Sequence, residues 1–235
     1  MQTWQTKNGY RVIRVLGGSS NVFLTTNGTF NILIDTSPRN RFAKLQRNLE
    51  KLGVDTIDYL ILTHSHYDHA QNASRIKRRY NARVVVHCTE AHYLESGTNT
   101  IPRGTNPFTR FLVSRFGKWF AKMQQYEPCG VDIAVDSPFD LRNTGISVYT
   151  LHTPGHSPGS MSVIVDDEIA FVGDALFGVF RGSVSPPFAD DVGLMVRSWG
   201  RLLETPCSIF LPAHGNQRGR EVLLRKYAER NEGLL

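Results

Sequence analysis

Four side chains able to bind a metal ion or carry a proton fall within six residues: His64, His66, Asp68 and His69, in the run Thr63-His64-Ser65-His66-Tyr67-Asp68-His69. Neutral imidazoles and carboxylates are ligands for zinc-class cations, and a packed core has no use for them at this density. In extended chain His64 and His66 project to the same side. Asp68 and His69 follow a turn of the chain and can serve a second ion. Three more candidates lie downstream: His156 in Thr153-Pro154-Gly155-His156, Asp174 in Phe171-Val172-Gly173-Asp174, and His214 in Leu211-Pro212-Ala213-His214-Gly215. Each stands at the end of an apolar run, so all seven can converge on one rim. The other histidines, His87, His92 and His152, stand alone and read as structural.

The elements that must position these groups are legible as periodicity. Tyr10 to Leu16, Asn21 to Thr26 and Phe30 to Ile34 read as strands joined by Gly17-Gly18 and Asn27-Gly28, the latter a hairpin signal. A helix is expected from Pro38-Arg39 through Leu52, with Gly53 as its stop. The apolar run Ile57 to Leu62 reads as a strand covered on both faces. A helix over Ala70 to Tyr80 and a strand over Arg83 to Val86 complete a β-α-β unit. Pro107 to Tyr126 is a helix of unusual aromatic content, including Phe108, Phe111, Phe116 and Trp119 with interleaved basic residues. It reads as a cover on the core in preference to a wall for an apolar substrate, because helical apolar spacing is mostly core. Strands then follow at Val131 to Val135, Ser147 to Leu151, Met161 to Val165, Glu168 to Val172 and Ser208 to Leu211, with helices over Asp191 to Leu203 and Arg220 to Asn231. The simplest architecture is two sheets face to face with helices outside, formed by one domain spanning 1–235.

The ordered ligand pattern resembles the metallo-β-lactamase-fold hydrolases, whose H-x-H-x-D-H run, later His, bridging Asp and terminal His are matched between Asp35 and His214. The resemblance implies an α/β fold of the αββα four-layer sandwich type. It implies two divalent metal ions, zinc first with iron or manganese also suited to these ligands. His64, His66 and His156 would hold one ion, Asp68, His69 and His214 the other, and Asp174 would bridge. Asp35 matches the family's first motif, a carboxylate that supports the ligand loop without binding metal. Such a pair lowers the pKa of a shared water from about 15.7 to about 7, giving a bridging hydroxide that Asp68 can orient. Two dications against Asp68, Asp174 and one hydroxide leave a net positive charge, which favours an anionic substrate or intermediate. Phe116, Trp119 and Phe177 are the candidate walls of the substrate pocket.

The implied activity is hydrolysis of an ester, thioester or lactone of a small acyl compound. Within the resemblance, an aspartate at position 174 argues against antibiotic hydrolysis as the main task. The short stretch after His214 argues against a glutathione thioester. Gly178-Val179-Phe180-Arg181-Gly182 departs from the persulfide-dioxygenase pattern of a single-iron enzyme, and Phe177 stands where acyl-homoserine lactonases place a tyrosine. Gln71-Asn72 replaces the glycine pair usual after the first motif. The alternatives are a phosphodiesterase or nuclease of the same fold, a dioxygenase-like enzyme, and a non-catalytic binding protein that retains metal.

Composition sets the outer limits. The chain has 235 residues, 40% hydrophobic and 20% charged, which suits an ordinary globular protein with a sizeable core. A formal charge of +6 favours anionic partners, yet the basic residues are scattered and make no strong case for nucleic acid. Cys88, Cys129 and Cys207 are too far apart for a thiolate metal site and read as buried small hydrophobes. No apolar run is long enough for a membrane span, and the opening residues lack a secretory signal, so a cytoplasmic protein acting on a small molecule is expected.

Overall fold

The computed structural model describes residues 1–136 and 138–232, arranged as two compact units. The first comprises Met1–Ile101 and Lys118–Asp136, and the second holds Pro102–Gly117 with the remainder of the described chain.

The first unit is built on strands β1 (Thr3–Gln5), β2 (Arg11–Leu16), β3 (Val22–Thr26), β4 (Asn31–Ile34), β5 (Tyr59–Ile61) and β6 (Arg83–His87). Its helices are α1 (Phe42–Lys51), α2 (Tyr67–Ala70), α3 (Ala73–Tyr80) and α4 (Cys88–Ser96). Helix α5 (Pro107–Met123) passes from the second unit into the first, and strand β7 (Ile133–Val135) completes the first unit's sheet. That sheet runs in sequence order from β1 to β7, antiparallel through β4 and parallel from β4 to β7. The change of direction follows from the connections. Hairpins join the first strands, whereas helices carry the chain between β4, β5 and β6, and a helical crossover returns a strand parallel. Leu45 and Leu49 of α1 and Ile76 and Tyr80 of α3 bury against Leu24, Leu33, Leu60 and Val84 in one core.

The second unit contains β8 (Val148–His152), β9 (Met161–Val165), β10 (Ile169–Gly173), α6 (Val192–Glu204), β11 (Ile209–Pro212), β12 (Arg218–Gly219) and α7 (Arg220–Glu232). Its sheet has the order β12-β11-β10-β9-β8, with β10 and β11 parallel and the other pairs antiparallel. Met195, Trp199 and Leu202 of α6 pack with Ala170, Val172 and Phe210 of the sheet. The β9–β10 turn places Asp166 and Asp167 at φ 54° and 55°, the left-handed pair that a tight hairpin needs and that aspartate tolerates.

Most of the expected elements are present, and the departures have physical causes. The helix expected over Ala70–Tyr80 is interrupted at Gln71-Asn72, because the Asn72 amide turns back to donate to the carbonyls of Thr36, Ser37 and Pro38. That network gives the replaced glycine pair a role: Gln71 accepts from the Arg39 N–H and donates to the Met123 carbonyl. Helix α4 escaped the periodicity because its nine residues carry no apolar stripe and bury Leu94 beside a glutamate, Glu90. The reading of α5 as a core cover does not hold. Phe108, Phe111 and Trp119 are 68%, 61% and 59% exposed, Phe116 is also exposed, and Phe116 has non-helical backbone angles. Cys88 is exposed, whereas Cys129 and Cys207 are buried as expected, each thiol pushed up to about 11 by burial. Among the described residues no helix is long and apolar enough to cross a membrane.

The basic cluster on α3 is absorbed locally, with Arg78 paired to Glu127, Lys77 to Asp132, and Arg75 stacked over Phe42. Asp132 also accepts from the Val84 N–H, tying α3 to the sheet at 2.7 Å on each side. Burial opposes its ionisation, but these bonds and the nearby Lys77 and Arg83 charges hold its carboxyl below the usual range. A carboxyl so depressed stabilises the fold above its ordinary pKa and loses that contribution as pH falls through the lowered value. Asp132→Asn is therefore expected to cost about 1 kcal/mol of unfolding free energy at pH 7. Urea melts at pH 7 and near pH 3 check this: the gap between variant and wild type narrows in acid.

Candidate metal centre

The first unit's candidates are placed by parallel register. Ile34 pairs with Ile61, so β4 and β5 release Asp35 and the Thr63–His69 loop from the same end of the sheet. Asp35 adopts a left-handed backbone, φ 61°, and is buried with three donors on its carboxylate. The Thr63 N–H donates to it at 2.8 Å, the Thr63 hydroxyl at 2.9 Å, and His69 Nδ1 at 2.8 Å. The Thr63 hydroxyl, having given its proton to Asp35, is left to accept from His64 Nδ1 at 3.2 Å. One carboxylate thus fixes the Nδ1–H tautomer of His69 directly and of His64 through Thr63, leaving Nε2 of both rings as the lone-pair atom a cation needs.

The loop holds its histidines close together. The His64 and His66 rings lie 4.7 Å apart edge to face, and those of His64 and His69 lie 4.0 Å apart. Ligand atoms of His64 and His66, of His64 and His69, and of Asp68 and His69 come within 4.8 Å in each pair. His66 is the extended residue before α2, and its carbonyl accepts the His69 and Ala70 N–H groups. Since α2 is a single turn, Asp68 and His69 are carried round beyond the extended His66.

A second buried carboxylate supports this loop, and sequence reading missed it. Glu90, 1% exposed, accepts from both the N–H and the hydroxyl of Ser65, the residue between His64 and His66. Tyr126 donates its hydroxyl to the Ser65 carbonyl at 2.7 Å, and the Asn99 amide donates to the Ser65 hydroxyl. Burial raises the Tyr126 phenol, aided by the Glu90 charge, so it stays a donor. Ser20 donates to the Asp68 carbonyl. The available signal was a glutamate three residues after His87, which caps α4; the capping position is ordinary, but this side chain turns into the core. Of the other histidines, His87 caps α4, the His92 ring lies tilted against that of its neighbour Tyr93, and His152 Nε2 lies 2.9 Å from the Pro158 carbonyl.

The second unit repeats the device. Gly173 pairs with Pro212 in the parallel β10–β11 ladder, so Asp174 and His214 emerge side by side. His156 sits in the loop after β8, with Nδ1 directed at the Phe188 carbonyl at 2.9 Å. Its loop depends on Gly155, φ 130°, where a Cβ would stand 2.3 Å from the Met195 nitrogen. Asp174 directs one carboxylate oxygen at each of two rings: Oδ2 lies 3.6 Å from His156 Nε2, and Oδ1 lies 3.3 Å from His214 Nε2. Both separations exceed ordinary N–H···O hydrogen bonds. Two ligand atoms about 2.1 Å from one tetrahedral ion stand about 3.4 Å apart, so the spacing fits ligands that share a cation. Phe177 stacks near His214, with centroids 5.1 Å apart, while Phe116 and Trp119 lie on α5 with exposed rings.

The sequence model described as the metallo-β-lactamase superfamily matches residues 15–214. The chain belongs to the metallo-β-lactamase superfamily. This is a superfamily mostly of metal-dependent hydrolases, and the His and Asp groups described above fit a divalent metal. The chain is 28% identical over 187 residues to a "Probable metallo-hydrolase" of Methanocaldococcus jannaschii, covering 80% of this chain and 79% of that one. It is 26% identical over 216 residues to an "Atrochrysone carboxyl ACP thioesterase" of Claviceps purpurea, covering 87% of this chain and 56% of that protein. Among solved structures, an archaeal superfamily member from Sulfolobus tokodaii matches with a TM-score of 0.66 at 24% identity, over 94% of this chain and 85% of that one. The fold class expected from the sequence is therefore that of the superfamily.

If Asp35 and Glu90 act by holding ligand rings and loop in place, their loss weakens metal binding without removing a ligand. Asp35→Ala and Glu90→Gln are each expected to lower zinc affinity about 10- to 100-fold. Competition with a chromophoric chelator measures this. Unchanged affinity in a folded variant would contradict the supporting role.

Proposed function

We propose that the protein is a dinuclear metal-dependent hydrolase that cleaves an ester, thioester or lactone of a small acyl compound. In this reading His64, His66 and His156 hold one cation, Asp68, His69 and His214 the other, and Asp174 contributes an oxygen to each. The observation that carries it is the Asp174 carboxylate, whose two oxygens address two different imidazoles at ligand-sharing distances. When bound, a pair of divalent cations supplies Lewis acidity for a carbonyl oxygen and for the leaving group, and acidifies water.

The chain's own residues supply orientation and proton handling. Asp35, Thr63 and the Phe188 carbonyl fix three rings so that each presents Nε2. Asp68, whose Oδ2 stands 3.8 Å from His69 Nε2 and is less buried than the imidazoles beside it, is placed to accept a hydrogen bond from an attacking water and to hold its proton. No serine or cysteine nucleophile is needed. The name of one relative, a probable metallo-hydrolase, agrees with metal-dependent hydrolysis, and that of another, a thioesterase, supports a carbonyl substrate. Phe116 and Trp119, exposed on α5, suit a wall that meets an apolar acyl chain.

The test is a panel of ester, thioester, lactone and phosphodiester substrates, run with protein loaded separately with zinc, iron and manganese. Turnover of the carbonyl compounds is expected, and its absence across the whole panel would overturn the reading. His66→Ala and Asp174→Ala should each reduce hydrolysis to background while circular dichroism shows a folded chain, because both groups sit at loop positions after strands. Trp119→Ala should lower kcat/KM more for long-chain than for short-chain esters, and an equal loss would remove the residue from the substrate wall.

A further inference from the structure

The second unit contains a cavity of about 610 Å³ that none of the ligand chemistry uses, lined by Arg103, Arg110, Val113, Asp190 and Asp191 among others. The size falls in the range that holds small-molecule ligands. We propose that this cavity is the specificity subsite for a negatively charged group, a carboxylate or a phosphate, at the non-reacting end of the acyl substrate. The inference rests on the hydrolase reading and names the class of compound that reading would act on.

Its position follows from one strip of backbone. The Phe188 carbonyl holds His156 Nδ1, the next residue's N–H donates to the Arg103 carbonyl at 2.8 Å, and the Asp190 N–H donates to the His156 carbonyl. Gly104 bridges Phe188 in antiparallel fashion. A Cβ on Gly104 would stand 2.3 Å from the Arg110 nitrogen, so only glycine lets this strip lie against the start of α5. The cavity wall and the ligand His156 are therefore fixed by the same few residues, and a molecule seated in the cavity is held at a set distance from that imidazole.

Its selectivity follows from how the four ionic side chains are engaged. The Asp191 carboxylate accepts the Leu194 N–H at 2.8 Å and caps α6, and the Asp190 carboxylate accepts the Arg103 N–H. Both carboxylates keep their charge, but each turns an oxygen to a backbone donor and, among the described residues, neither pairs with a guanidinium. Arg110 donates its Nε–H to the Gly104 carbonyl at 3.2 Å, which leaves its two terminal nitrogens as further donors. Among the described residues neither Arg103 nor Arg110 forms an ion pair. Two guanidiniums lining one cavity without an acidic partner match the planar, bidentate recognition of carboxylate and phosphate. The chain's charge of +6 favours the approach of an anion.

The experiment compares three esters with one leaving group: 4-nitrophenyl hexanoate, its ω-carboxylate counterpart mono-4-nitrophenyl adipate, and the 6-phosphooxy hexanoate. The metal-loaded wild type should show a lower KM for one or both anionic esters than for the hexanoate, and the better of the two identifies the anion. Arg103→Ala, at an exposed side chain outside the ligand set, should raise the KM for the preferred anionic ester roughly tenfold. Its kcat should change little, and the hexanoate should be unaffected. Arg103→Lys should keep most of the preference. Equal changes for charged and neutral esters, or none, would overturn the proposal. If no ester is turned over, the hydrolase reading fails by itself, and calorimetric titration of adipate and of inorganic phosphate into the same three proteins decides the subsite. Affinity for either anion lost in Arg103→Ala and kept in Arg103→Lys upholds it, and equal affinity in all three refutes it.

Discussion

A buried imidazole can serve a cation only if its other nitrogen is held, since a ring free to turn or change tautomer presents the wrong atom. That constraint organises both units. Asp35 holds His69 directly and His64 through the Thr63 hydroxyl, and the Phe188 carbonyl holds His156. Each holder is in turn fixed by backbone. Asp35 donates its N–H to the Ile61 carbonyl, and the Phe188–Ala189 strip is stitched to Arg103–Gly104. Around these contacts the hydrophobic cores supply rigidity. The strands leading to Asp35, Thr63, Asp174 and His214 bury Ile34, Ile61, Val172 and Leu211, so the loops they launch start from fixed points.

The second constraint is parallel pairing. Two parallel neighbours end on the same side of a sheet, so residues just past their ends become neighbours although distant in sequence. In the first unit this joins Asp35 to Thr63, and in the second Asp174 to His214. A hairpin would have sent each pair to opposite ends. The helical connections that force parallel pairing therefore matter to the site as much as the ligands do, although no residue of α1 or α6 is itself a candidate ligand.

The strand and helix pattern was largely legible because apolar periodicity records burial, and the ligand candidates stood out because histidine and aspartate clusters have no place in a core. What escaped was whatever periodicity does not encode. Glu90 looks like an ordinary helix-surface acid until Ser65 is seen to donate to it twice. The break at Asn72 depends on three carbonyls from a segment more than thirty residues away. Helix α5 misled by the opposite route: helical apolar spacing implies a buried face, but its aromatics are exposed, so its periodicity reports something other than core packing. The Arg103–Arg110 cavity had no signature, since two arginines seven residues apart acquire a common role only through the Gly104–Phe188 bridge.

The proposed hydrolase requires seven imidazoles and carboxylates to act as one dinuclear ligand set. Elemental analysis of gently purified, tag-free protein, with Asp174→Ala alongside, tests this most directly. Two equivalents of divalent metal per chain in the wild type, falling to one or fewer in the variant, is the predicted result. Wild-type protein without stoichiometric metal, even after incubation with zinc, iron or manganese, would contradict it.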